Sequence, residues 1–165
     1  MTFKKLIFLV CLILINGCSL TGVRHKELPN DVSLSHAEAA EKLRKNGKYD
    51  SAIEEYKIHI QVRLAKEDKP KDENPYFYYL LIGESYLRLG ELEKAEEAYT
   101  TALKQDVNIT LVADGFRQIS GEYEKRQDYD AAIEILRKHR ELDDLLYDAQ
   151  MDRLHKKSVL EADGQ

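Results

Sequence analysis

Apolar residues recur every three or four positions along most of the chain beyond residue 33, a spacing that predicts helices. The pattern is clearest over Tyr79–Ala102, where two apolar stripes flank Gly90. Glycine adopts the left-handed conformation that ends a helix without strain, so Gly90 predicts a turn. Gly83 and Ala95 are small where two helices would approach closely. This stretch is therefore predicted to be a helical hairpin.

The same pattern returns upstream and downstream of this hairpin. The matching positions are Ala40, Leu43, Gly47, Tyr49, Ala52, Ile53 and Tyr56 upstream, and Phe116, Ile119, Ser120, Tyr123, Tyr129, Ala132, Ile133 and Leu136 downstream. Gln127 stands in the third copy where the turn glycine is expected. Three copies predict hairpins at about 33–66, 76–109 and 113–146, followed by an amphipathic segment to about Leu160.

The spacing of small and bulky residues in the middle copy resembles the signature of the tetratricopeptide repeat: Gly83, Tyr86, Gly90, Ala95, Tyr99 and Ala102. The resemblance implies an all-α fold, an α-solenoid of three such hairpins plus a C-terminal capping helix over 33–160, with a tail at 161–165. Three repeats are about the minimum for a stable stack. No proline or glycine divides 141–160 from the helix predicted near Asp130, so a separate capping helix and a continuous helix both remain open.

The N-terminus has the features of an export signal. Lys4 and Lys5 precede an apolar run over 6–15 that would span only about 15 Å as a helix, too short to cross a bilayer. A basic start and a short apolar core are typical of a secretory signal peptide, here predicted over 1–17.

The sequence from Leu14 to Cys18 resembles the lipobox of bacterial lipoproteins. The resemblance implies that Cys18 is acylated and becomes the first mature residue, and Ser19 beside it implies the outer membrane, with the domain in the periplasm. Residues 18–32 are predicted to be a flexible tether with a typical span of about 20 Å. Two alternatives to a lipoprotein remain open: an ordinary signal peptide with an incidental cysteine, and an uncleaved anchor.

A charged insertion, Glu67–Pro75, separates the first two copies and is either a solvated loop or a partner contact. Asn74 and Pro75 suit the cap and first residue of the next helix. Four aromatic residues follow at 76–79, and on a helix they cannot all face one neighbour. Phe77 is predicted to be an exposed aromatic anchor.

In the tetratricopeptide repeat family, the first helix of each repeat lines a concave face that holds peptides or partner helices. Besides Ala37 and Gly121, the resemblance places on that face Glu41, Arg44, Lys45, Phe77, Leu80, Glu84, Leu87, Arg88, Arg117, Glu124 and Lys125. The alternative is a solvated helical surface. Relatives that bind chaperones use a lysine and asparagine clamp for a terminal carboxylate. The corresponding positions here are Ala37, Glu41, Asp114 and Gln118, so that clamp is absent.

Composition and candidate chemistry argue against several functions. The formal net charge is −5 with both signs interspersed, whereas a nucleic-acid binder would show a basic stripe. The five histidines form no close pair at metal-ligand spacing, and His59 and His139 share a repeat position, which indicates packing. No phosphate-binding glycine loop or nucleophile elbow occurs. We therefore expect no enzyme activity, cofactor, metal or small-molecule substrate.

The sequence thus predicts an outer-membrane-anchored adaptor that binds a peptide or helix of another envelope protein, during assembly of an envelope complex. The alternative is a structural or self-associating subunit of an envelope machine, such as a pilus, a secretion pore or outer-membrane assembly, without a peptide-binding groove.

Overall fold

The computed structural model describes residues 30–67 and 73–163, with side chains from Ser35 onward. These ranges are helical and contain no strand. The helices are α1 (Asn30–Lys45), α2 (Tyr49–Ala65), α3 (Tyr78–Leu89), α4 (Leu92–Lys104), α5 (Ile109–Lys125), α6 (Tyr129–Lys138) and α7 (Asp144–Asp163), with short 3-10 turns at Pro75–Phe77 and Arg140–Leu142. The predicted signal peptide, Cys18, the tether up to residue 29 and loop residues 68–72 lie outside the described residues.

Consecutive helices pair into three hairpins, α1–α2, α3–α4 and α5–α6, and α7 packs against the last one. Ala52, Ala95 and Ala132 each lie in the first turn of the second helix of a hairpin, and all three are fully buried. The predicted α-solenoid of three hairpins with a capping helix is confirmed. The open question at its C-terminal end is also answered, because α6 ends at Lys138 and α7 starts anew at Asp144.

The core has two parts that follow the repeats. One joins the first hairpin to α3 and α4 through Tyr56, Ile53 and Ile82. The other extends from the second hairpin to α7 and includes Phe116 and Leu154. A repeat alone cannot bury its apolar face, so each hairpin depends on its neighbour for stability.

The first helices of the repeats run parallel, which gives the stack two distinct edges. The side chain of Arg126, after α5, donates to the carbonyl of Gly90, after α3, at 3.0 Å. At the other end, the side chain of Asn74 donates to the carbonyl of Gln105 at 2.7 Å. We call the edge where α3, α5 and α7 begin the loop edge. The opposite edge, with the turns at 46–48, 90–91 and 126–128, is the turn edge.

Two helix starts differ from the predicted boundaries, and a third agrees. Asn74 accepts a hydrogen bond from the backbone amide of Tyr76 at 3.0 Å, and Pro75 follows as the first residue of the 3-10 turn, as predicted. By contrast, α1 begins at Asn30, so residues 30–32 belong to the helix and not to the predicted tether. The third hairpin begins at Ile109, four residues before the predicted boundary, because Asn108 caps α5 through the amides of Thr110 and Leu111.

The turn edge holds three residues with positive φ, one in each repeat. Gly47 has a φ of 73° and Gly90 a φ of 76°, whereas the third is Gln127 with a φ of 61°. A side chain in this left-handed region crowds its own backbone, which costs roughly 1–2 kcal/mol. At the turn within its hairpin, the third repeat therefore carries local strain that the other two avoid there with glycine.

Replacing Gln127 by glycine is expected to raise the free energy of unfolding by about 0.5–1 kcal/mol, since relief of strain exceeds the extra freedom of the unfolded chain. The matched control is Gly47→Ala, where an added Cβ would meet nothing within 4 Å, so only the backbone conformation is penalised. That variant should lose a similar amount. Urea unfolding measures both, and a destabilised Gln127→Gly protein would contradict the presence of strain.

Candidate partner-binding groove

An open groove of about 770 Å³ lies between α1 and the start of α3. We call it the α1–α3 groove. Its walls combine apolar and charged side chains: Ala37, Glu38, Glu41, Lys42, Lys45, Asn46, Phe77, Tyr78 and Leu81. Four of these, Ala37, Glu41, Lys45 and Phe77, were placed on the concave face from the sequence.

Aromatic residues form the apolar part of this groove. Phe77 is 44% exposed, as expected for an anchor that a partner would cover. The neighbouring Tyr78 ring is held in place by two buried rings. Its centroid lies 4.2 Å from that of the His59 ring, in an edge-on contact, and 5.7 Å from that of the Tyr56 ring. Tyr78 and Leu81 were not predicted from the sequence, because the repeat pattern marks packing positions and not the rim between two helices.

A network of charged groups joins α1 to α3 beside the groove. Arg44 donates to both carboxylate oxygens of Glu41, at 3.1 and 3.2 Å, and to Glu84 at 3.1 Å. The Tyr56 hydroxyl donates to Glu41 at 2.8 Å. Burial raises the pKa of Glu41, but these hydrogen bonds outweigh it and leave the pKa below its ordinary value. Glu41, Arg44 and Glu84, all predicted for the concave face, therefore act first as a link between two repeats.

Leu80 does not line the concave face as predicted. It is only 9% exposed and belongs to the core that extends from the second hairpin to α7. Packed helices lie about 8–10 Å apart, so a leucine on the side that faces a neighbouring helix fills the space between them. An acidic residue at this position would place a charge in the core.

A second, smaller groove of about 300 Å³ lies between α3 and α5. It is lined by Glu84, Leu87, Arg88, Gln118, Gly121, Glu122 and Lys125. Lys125 is paired with Glu122 at 2.6 Å and Arg117 with Asp114 at 3.3 Å, both along one helix. Arg88 is exposed and, within the described ranges, forms no ion pair. This groove thus brings together five residues placed on the concave face from the sequence: Glu84, Leu87, Arg88, Gly121 and Lys125.

Glu124 was predicted for the same face, but α7 covers it. Arg153 donates to both of its carboxylate oxygens, at 2.5 and 2.7 Å, and Lys157 donates at 3.2 Å. The Glu124 side chain is consequently little exposed. The capping helix thus occupies, in the third repeat, the position that a partner would need.

The pKa of Glu124 is lowered to about 2, chiefly by the hydrogen bonds from Arg153. A carboxyl whose pKa is depressed on folding stabilises the protein above its unfolded pKa and loses that contribution as the pH falls. We expect Glu124→Gln to remove about 1–2 kcal/mol of stability at pH 7, discounted because Arg153 and Lys157 are partly exposed. Between about pH 4.5 and 2 the two proteins should converge. Unfolding measured at several pH values tests this, and a constant difference down to about pH 2 would refute it.

The histidines at the shared repeat position are packing residues. His59 and His139 are both buried. The His139 ring stacks on Phe116 at 3.5 Å, and its Nε2 lies 3.5 Å from Glu96. Burial lowers the pKa of His139 although Glu96 acts in the opposite direction, so the ring is neutral at pH 7. In the part of the chain that the structure describes, no cluster of histidine, cysteine or acidic side chains suits a metal ion.

Comparison with known proteins agrees with this architecture. Residues 76–108 match the model of the tetratricopeptide repeat family. The fold is a tetratricopeptide repeat solenoid. The matched segment coincides with the predicted middle repeat and holds the Phe77 end of the groove. A tetratricopeptide repeat fold points to a protein–protein interaction adaptor, a class of generally non-enzymatic scaffolds. No curated protein matches the sequence.

A solved structure with the same fold is the TPR2AB domain of yeast Sti1 in complex with pHSP90. It is 20% identical to this chain, with a TM-score of 0.55, and the match covers 81% of this chain and 49% of that one. The chain therefore spans about half the length of that relative. At this identity the likeness shows the fold alone. Across residues 30–67 and 73–163, no helix is long and apolar enough to cross a bilayer.

Proposed function

We propose that the chain is an adaptor that is anchored to the outer membrane through an acylated Cys18 and binds a peptide or helix of another envelope protein in the α1–α3 groove. The anchor rests on the lipobox-like sequence before Cys18, and the envelope setting rests on the anchor. Binding rests on the groove. The mechanism is one of localisation: the repeats hold the partner, and the lipid keeps that event at the membrane.

The main support for binding is the half-exposed aromatic surface in an open groove. Phe77, Tyr78 and Leu81 line the groove together, and ring contacts with His59 and Tyr56 hold Tyr78 in place. Ligand sites are commonly concave, apolar and preformed, with a few polar groups at the rim. A partner side chain that covers Phe77 would remove apolar surface from water, the main source of affinity at such sites.

The charges around the groove favour an acidic partner. Arg44 pairs with both Glu41 and Glu84 and offsets one of their two negative charges. The exposed bases of the groove, Lys42 and Lys45, form no ion pair with any described residue, and they outnumber its exposed acid, Glu38. A segment that carries an apolar side chain with acidic residues on either side would complement both the aromatic surface and these bases.

The partner segment that binds in the groove does not need a free C-terminus. The residues at the clamp positions of chaperone-binding relatives are Ala37, Glu41, Asp114 and Gln118, and Gln118 donates to Asp114 at 3.1 Å. Ala37, Glu41 and Asp114 offer no side-chain donor to a terminal carboxylate. An internal loop or a helix of the partner therefore suits the groove.

Crosslinked recovery of the full lipidated chain from native envelopes tests this function. We expect Phe77→Glu to lose a defined envelope protein that the unchanged chain recovers, because an added acid would meet both an apolar and an acidic partner surface. Leu160→Glu is the matched control, since Leu160 is exposed on α7, far along the chain from the groove. Leu80→Glu is unsuitable because Leu80 is buried.

Three results would count against the proposal. Recovery of the same proteins by Phe77→Glu removes the groove as the site. If only Leu160→Glu loses the envelope protein, the contact lies at the end of the stack, as expected for a structural subunit. If the Cys18→Ala chain associates with membranes as strongly as the unchanged chain does, the lipid anchor is refuted.

A further inference from the structure

Exposed apolar side chains gather at the loop edge of the stack. Five of the large apolar residues that reach solvent lie at the first turns of α3, α5 and α7 or directly before them: Phe77, Ile109, Leu111, Leu145 and Leu146. Leu145 is 82% exposed, more than any other large apolar side chain in the described ranges. Single exposed apolar residues are ordinary, but a set on one edge indicates a contact surface.

The turn edge has a different character. Its turn residues are polar or glycine: Asn46, Gly47, Lys48, Gly90, Glu91, Arg126, Gln127 and Asp128. The helices that end there do so with exposed bases at Lys45, Arg88 and Lys125. Val159 and Leu160, near the end of α7, are exposed apolar residues towards this edge, but they belong to one helix. Among the residues that the structure describes, only the loop edge combines exposed apolar side chains from the starts of α3, α5 and α7.

The direction in which the chain enters α1 indicates that the loop edge faces the bilayer. Helix α1 runs parallel to α3, because Ala37 in its first half lines the groove with Phe77, and Arg44 near its end bonds to Glu84 further along α3. The chain therefore enters α1 from the loop edge. Asn30 lies only a dozen residues after Cys18, so at most about 40 Å of covalent chain separates them. The turn edge lies a further helix length away, about 24 Å for α1. An acyl chain on Cys18 would thus hold the loop edge nearest to the bilayer.

We propose that the loop edge rests on the bilayer surface, with Ile109, Leu111 and Leu145 entering the headgroup region of the membrane that holds Cys18. This inference rests on the lipid anchor of the proposed function but not on the groove. The edge carries charges of both signs, among them Lys66, Glu73, Asp106, Arg140 and Asp144, so attraction to anionic lipid is not the driving force. Contact through apolar side chains is insensitive to salt, unlike contact through exposed charges.

A polarity-sensitive fluorophore on a single cysteine tests the contact. The full lipidated chain carries Leu145→Cys at the loop edge or Lys48→Cys at the turn edge, and is reconstituted in vesicles of phosphatidylethanolamine and phosphatidylglycerol. We expect a blue-shifted emission, quenched by spin-labelled lipid, at position 145 and not at position 48. The shift should persist at high salt and weaken when Ile109 and Leu111 are both changed to serine, with helicity retained.

Other outcomes overturn the inference. Equal emission at the two positions means that the loop edge faces water. A shift that occurs only in native envelopes, and not in lipid vesicles, means that a protein covers the edge. A chain that lacks acyl mass and floats free of the vesicles overturns the anchor and this orientation together. Acylation without the shift overturns only the orientation, so the two failures are distinguishable.

Discussion

Replacing Leu154 by alanine is expected to lower the free energy of unfolding by about 3 kcal/mol. Leu154 is fully buried and joins α7 to the core of the third hairpin, with Phe116 and Leu136 in the same cluster. Alanine would remove the apolar contact and leave a cavity, because the neighbouring side chains are held by the repeat stack. Urea unfolding of the full chain, followed by far-ultraviolet circular dichroism, measures the loss.

Leu160→Ala is the matched control on the same helix. Leu160 is 72% exposed, so this change should stay within about 0.5 kcal/mol of the unchanged protein. The buried hydrogen bond from the Tyr147 hydroxyl to the carbonyl of Ala113, at 2.7 Å, ties α7 to α5 independently. Equal stabilities of the two alanine variants would show that Leu154 does not anchor α7 to the third hairpin.

Replacing Gly83 by alanine is expected to lower the free energy of unfolding by about 2 kcal/mol, and Gly115→Ala should do the same. A Cβ at Gly83 would lie 2.6 Å from the Tyr99 ring, and one at Gly115 would lie 2.7 Å from it. The ring is packed against both α3 and α5, so it cannot retreat from one glycine without approaching the other. Thermal or urea unfolding of the single variants tests this.

Two further variants separate overpacking from helix propensity. Gly121 also lies in α5, but a Cβ there would meet nothing within 4 Å, so Gly121→Ala should be stabilising by about 0.5–1 kcal/mol. In a Tyr99→Leu background the cost of Gly83→Ala should largely disappear. If the cost is unchanged without the ring, Tyr99 is not its cause.

The repeat pattern predicted the hairpins because small and bulky residues alternate at fixed spacing where helices touch. It located the turn at Gly90, the buried alanines and the packing of His59 and His139. It missed Gly115, whose role is visible only once Tyr99 is seen to contact two neighbouring helices. Close packing of helices from successive repeats leaves a weaker pattern in the sequence than close packing of the two helices within one repeat.

The predicted concave face was less accurate for a physical reason. A residue's position in the repeat predicts the side of the helix on which it lies. It does not predict whether a neighbouring helix covers that side. Leu80 is drawn into the core, and Glu124 is covered by Arg153 and Lys157 of α7. The exposure of Phe77 was predictable because four successive aromatic residues cannot all be buried on a helix, whereas Tyr78 required the positions of Tyr56 and His59.

A photo-activated crosslinking amino acid at position 77 of the full chain, in growing cells, is the sharpest test of the α1–α3 groove as the partner site. We expect a crosslink to one envelope protein through an acidic segment that contains an apolar residue. The same probe at position 160 should give no such product. Crosslinks at 160 and none at 77, or no product at 77 beyond lipid, would contradict the α1–α3 groove as the place where a partner binds.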